Sequence, residues 1–183
     1  TGGRNQWHLR ETPAPEERRK AAMMGKTHLL VGAVTGLGMA VYFHMPIPET
    51  LVMTSLATVG ALVPDIDHPK GTLRRHLGVF GWVFNVLPHR GPTHSFLCWA
   101  FLATWIYILS SFPMGTLLTG AASLGYLSHL VADMCTIEGI PLFFPASNRY
   151  ISLLPIRTGG LIEQLFFIAV AAVGGYLVYL LLT

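Results

Sequence analysis

The stretch PDIDHPKGTLRRHLGVFGWVFNVLPHRGPTHS, Pro64 to Ser95, interrupts two long apolar runs and carries five candidate ligands. Asp65, Asp67 and His68 close the run before it, and His89 and His94 open the run after it. Pro64 and Pro69 bracket an irregular segment, so the chain has to leave one helix here and enter another. Carboxylate oxygens and imidazole nitrogens are ligands for borderline and hard divalent metals, and beside apolar segments an unpartnered ionisable group is costly. Metal binding is therefore the first chemistry the stretch suggests. Turn capping by the two aspartates is the plainer alternative.

The composition on either side says what kind of fold surrounds this stretch. Of 183 residues only 11% are charged and 52% are apolar, whereas soluble domains carry roughly 25% charged residues. The chain reads as all-α and polytopic, with five apolar segments at about 27–43, 50–64, 94–112, 115–136 and 161–182. About 20 residues cross a bilayer as a helix, so the last three are comfortable in length and the first two are short. Two smaller apolar patches, Leu77 to Leu87 and Pro141 to Pro145, carry Phe80, Trp82, Phe84, Phe143 and Phe144 and read as interfacial or re-entrant. Residues 1–26 form a polar, basic tail, expected to be flexible and cytosolic, ahead of a membrane-embedded domain over 27–183. No convincing small-residue cleavage site follows it, which argues against a secretory signal. Cys98 and Cys135 each fall inside an apolar run and read as small buried hydrophobes.

All twelve basic residues fall in three places: the tail, the loop after the second segment (Lys70, Arg74, Arg75, Arg90) and the loop after the fourth (Arg149, Arg157). By the positive-inside rule these are cytoplasmic and the C-terminus lies on the far side. With that topology the ionisable residues gather at one side. His28 begins the first segment, Asp65, Asp67 and His68 end the second, and His89 and His94 precede or begin the third. His129 and Asp133 lie in the last two turns of the fourth, Glu138 just beyond, and Glu163 near the start of the fifth. His129 and Asp133 are four apart and so share a helix face. His8, His44 and His76 read as bystanders, and the Gly32/Gly36 pair as close helix packing.

Seven candidates, Asp65, Asp67, His68, His89, His94, His129 and Asp133, exceed what one tetrahedral ion uses even before His28 is added. That favours two ions, or one ion with catalytic groups around it. Mixed nitrogen and oxygen donors without thiolate admit Zn²⁺, preferred here, as well as Mn²⁺ or Fe²⁺. The net charge of +3 gives no ground for expecting nucleic acid.

The motifs Pro64-Asp65-Ile66-Asp67-His68-Pro69, His89-Arg90-Gly91-Pro92-Thr93-His94-Ser95 and Gly125-Tyr126-Leu127-Ser128-His129-Leu130-Val131-Ala132-Asp133 resemble those of the YdjM-like family of inner-membrane, metal-dependent hydrolases. The resemblance runs from about Met24 to Glu163. It implies a bacterial or archaeal inner-membrane hydrolase with metal ligands among the seven residues named above. Arginines and interfacial aromatics beside such a site suit an amphipathic substrate with an anionic head, held at Arg90, Arg149 and Arg157, although these arginines can equally serve only topology. Metal-assisted hydrolysis of a lipid phosphoester is the leading expectation, with Asp65 or Asp67 bridging metals or acting as base and Glu138 and Glu163 as further catalytic carboxylates. Lipid ester or amide hydrolysis stands next. A metal transporter or sensor is the alternative from another class, but it needs polar residues through the outer halves of the segments, where Val34 to Phe43 and Phe101 to Ile108 offer almost none. A scaffold using its His and Asp only for packing is the third.

Overall fold

The computed structural model describes residues 25–68, 78, 90–109, 115–154 and 156–183. The basic tail up to residue 24, nearly all of the Leu77–Leu87 patch, Lys70, Arg74, Arg75, His76 and His89 lie outside the described residues. Among those described there are five α-helices and no strand, as an all-α chain should give: α1 (Gly25–Tyr42), α2 (Ile47–Gly60), α3 (Phe96–Leu109), α4 (Gly115–Met134) and α5 (Leu161–Leu182). Two short 3-10 turns, Pro64–Asp67 and Pro92–His94, carry the site residues between α2 and α3.

Local chemistry explains where the helices stop. His44 takes the left-handed conformation after α1 (φ 52°), and the N–H groups of His44 and Met45 return to the carbonyls of Val41 and Ala40, a closing pattern that satisfies the last turn. Pro46 and Pro48 then start α2, where a missing N–H costs nothing. The two helices form an antiparallel hairpin held by close backbone approach. A Cβ added at Gly32 would meet Ala61 and Ala57, and one at Gly36 would meet Thr54 and Met53. Gly125 of α4 approaches the Ala57 carbonyl in the same way, so α1, α2 and α4 pack through small residues rather than interlocking large ones. α3 packs on α4, α5 on α1.

Among the described residues only α5 is both long and apolar enough to cross a hydrocarbon layer, at 22 residues or about 33 Å; α3 is apolar but short. The expectation of three comfortable crossings is thus met in full by one helix. α4 has the length, yet Thr119, Tyr126, His129 and Asp133 line its buried side and lower its apolar content. Beyond α4 the chain forms a strap over 135–160, pinned by bridges between Thr136 and Ile156 and between Ile140 and Ile151. Leu142 of the strap accepts from the N–H of Phe96 and so holds the start of α3.

Candidate metal centre

One end of the bundle collects the start of α1, the end of α2 with its 3-10 turn, the turn before α3, the end of α4 and the start of α5. His28, Asp67, His94, His129, Asp133 and Glu163 are all buried there, with Asp65 slightly more open. Polar side chains persist in such a place only when paired or bound to a cation.

The pairing has a definite geometry. His94 Nε2 and His129 Nε2 lie 3.3 Å apart. Asp133 Oδ2 is 3.5 Å from the first and 3.7 Å from the second, and Asp65 Oδ1 is 3.8 Å from both. Two donors on one small ion, at zinc–nitrogen and zinc–oxygen bond lengths of about 2.0–2.2 Å, stand about 3.3–3.6 Å apart at tetrahedral angles, close to the spacing of His94, His129 and Asp133. The donor set therefore fits a small divalent ion. His28 stacks on His129 with ring centroids 3.8 Å apart, and with Asp65 and His129 it forms a second donor group; His94, His129 and Asp133 form the first. Both groups draw on His129, whose Nδ1 is already 2.7 Å from the Ala61 carbonyl, leaving Nε2 for one ion.

Behind the donors stand the groups that aim them. With Nδ1–H donated to Ala61, His129 keeps its Nε2 lone pair facing inward. His94 Nδ1 lies 3.5 Å from Asp67 Oδ2 and 3.1 Å from the Thr93 hydroxyl, which itself donates to Asp67 at 2.5 Å. The Tyr126 hydroxyl donates to the Thr93 carbonyl and fixes that turn to α4. Asp67 thus meets Nδ1 of the His94 ring while Asp65 meets Nε2, side chains two apart on a 3-10 turn standing about 120° from each other.

Charge follows from these contacts. Burial opposes ionisation of Asp65. Burial likewise works against a charge on His94, yet hydrogen bonds to Asp133 and Asp67 push its imidazole up to about 9. A metal ion and that proton compete for the same nitrogen, so ion binding would release the proton.

The other expected residues are placed as follows. Glu163 is engaged by the Thr27 hydroxyl at 3.0 Å and the Gly159 N–H at 2.6 Å, tying α5 to α1 rather than joining the donor groups. Glu138 lies 3.6 Å from Arg90 Nη1. His68 is half-buried at the end of its turn and belongs to neither donor group among the described residues. Arg149 and Arg157 are exposed on the strap, while Arg90 is buried and bonded to Asp133. Sequence reasoning had no signal for that inward guanidinium, for the Thr93–Asp67 bond or for Tyr126, although all three residues fall within the quoted motifs or the stretch between Pro64 and Ser95.

A model of the YdjM inner membrane protein family matches residues 23–182. The uncharacterized protein YvsG of Bacillus subtilis is 31% identical over 87% of this chain and 96% of its own length. The inner membrane protein YdjM of Escherichia coli is 37% identical over 62% of this chain and 60% of its own length, and that of Shigella flexneri matches equally. No solved structure matches.

Proposed function

The chain belongs to the YdjM inner membrane protein family, and from that premise we propose that it is a multi-pass, metal-dependent hydrolase acting at the cytoplasmic membrane surface on a lipid phosphoester. The observation that carries the reading is the convergence of His94 Nε2, His129 Nε2 and Asp133 Oδ2 within 3.7 Å of one another, with Asp65 Oδ1 3.8 Å from both imidazole nitrogens. Five crossings are supported by the large apolar side chains that α3 and α5 turn outward, among them Phe101, Trp105, Leu165 and Ile168, and by the confinement of basic residues to alternate connections.

In this reading His94, His129 and Asp133 would hold one zinc-like ion, which would supply a water of lowered pKa as nucleophile. Asp65, more open than these three and 3.8 Å from both imidazole nitrogens, would be the base that accepts a proton there. Asp67 holds the His94 ring in place through Nδ1, and the Ala61 carbonyl does the same for His129. Arg149 and Arg157 stand on a strap whose Phe143, Leu153 and Leu154 are also exposed, a combination suited to an acyl boundary with phosphate above it.

Elemental analysis of the full chain purified in detergent should return one zinc, manganese or iron per molecule. Chelation should abolish release of headgroup from phosphatidylglycerol micelles and metal should restore it. Full hydrolysis by metal-stripped protein refutes the mechanism.

A further inference from the structure

The geometry of Arg90 is unlike what its sequence position suggests. It is an arginine in a loop of the kind that faces water, yet it is 3% exposed and its backbone takes the left-handed conformation (φ 56°) that side chains with a Cβ rarely adopt. Such a conformation persists only where the surroundings over-determine it. Here Nη2 bonds Asp133 Oδ1 at 3.1 Å, Nη1 bonds the Gly139 carbonyl at 3.2 Å and Thr136 Oγ1 at 3.4 Å, and the Arg90 carbonyl accepts from the Tyr150 hydroxyl at 3.3 Å. Glu138 completes the ring of partners at 3.6 Å.

The two oxygens of Asp133 are consequently divided. Oδ1 faces Arg90 and, at 3.4 Å, His28 Nε2; Oδ2 faces His94 and His129. A carboxylate beside a metal ion can close on it with one oxygen or both, and closing with both fills a coordination position that a reacting water would need.

We propose that Arg90 is a positioning residue: by occupying Oδ1 it holds Asp133 as a single-oxygen ligand and keeps one coordination position open. The inference rests on the metal-centre reading above and replaces the expectation that Arg90 binds substrate phosphate. It requires the guanidinium fork and not only its charge, because one arm reaches Asp133 while the other is fixed on the strap.

Cobalt(II) is the probe, since its visible absorption is intense when four-coordinate and weak at higher coordination. The full chain in detergent is titrated with cobalt, and the same is done for Arg90→Gln and Arg90→Lys. The wild type should show the intense bands. Both variants should lose most of that intensity and bind cobalt about 10- to 100-fold more weakly. Loss in Arg90→Gln with a wild-type spectrum in Arg90→Lys would overturn the proposal by reducing Arg90 to a point charge, and unchanged binding in both would overturn it outright. Should neither variant fold, X-ray absorption of the cobalt-loaded wild type decides: a carboxylate bound through both oxygens overturns the proposal, and one bound through a single oxygen upholds it. A wild type that takes up no cobalt removes the metal centre itself, which separates that failure from the failure of Arg90 alone.

Discussion

α4 and α5 are similar in length and opposite in character. α4 buries Thr119, Tyr126, His129 and Asp133 along with glycines and alanines, whereas α5 buries only Glu163 and Gly174 and turns Leu165, Ile168, Tyr176 and Tyr179 outward. The polarity of a soluble fold is reversed. The inner helices α1, α2 and α4 are joined by glycine and alanine contacts, because where lipid tails surround a protein the helices gain little from hiding large apolar groups and associate through close packing and hydrogen bonds. The outer helices α3 and α5 need only an apolar surface. Tight packing and ionisable chemistry therefore occur together in one group of helices and are absent from the outward faces of the other.

The largest test of this contrast sets two glycines against each other. Gly125→Val drives a side chain into the Ala57 carbonyl and should cost about 3 kcal/mol, the upper end for overpacking, while Gly175→Val, with nothing within 4 Å, should leave stability unchanged. Unfolding in detergent followed by circular dichroism measures both, and equal effects would dissolve the distinction between inner and outer helices. A smaller effect is expected from Asp67→Asn, which keeps the shape and the bond from Thr93 but removes the charge behind His94. Metal affinity, read by competition with a chelator, should fall about 10- to 100-fold while the fold persists. Unaltered affinity would show that the turn alone aims His94. The smallest effect belongs to α5: Ile168→Ala should shift stability by no more than about 0.5 kcal/mol, as for exposed positions elsewhere. A loss of several kcal/mol would mean that this face is covered by protein.

Sequence spacing reveals the site unevenly, for a physical reason. On a regular helix direction follows from number, so His129 and Asp133, four apart, could be placed on one face before any coordinates, and the structure has them 3.7 Å apart. The meeting of Asp65 and His94 at one end of the bundle was likewise expected from charge asymmetry and the ends of the apolar runs. Within Pro64–Asp67 that logic fails. Spacing in an irregular proline-bracketed turn does not tell which aspartate looks inward, and the 3-10 geometry sends Asp65 toward the imidazole nitrogens and Asp67 behind a ring. Counting positive charge by loop treats every arginine as solvated, so Arg90 inside the protein was invisible to it. Glu163 reads as a candidate catalytic carboxylate from its place near the start of the fifth apolar segment, but a carboxylate in the first turn of a helix also meets N–H groups ahead of it, and the Gly159 N–H takes it.

The two imidazoles at the heart of the site differ in how heredity can reach them. His94 is steadied by side chains, so single codon changes at Thr93 or Asp67 release it. His129 leans on the main-chain oxygen of Ala61, and a carbonyl is present whatever amino acid is encoded there. Drift can loosen one imidazole by many routes, while the other loses its support only if the backbone just past α2 moves. Relatives that have abandoned the chemistry should accordingly show change first around position 94 and last around position 129.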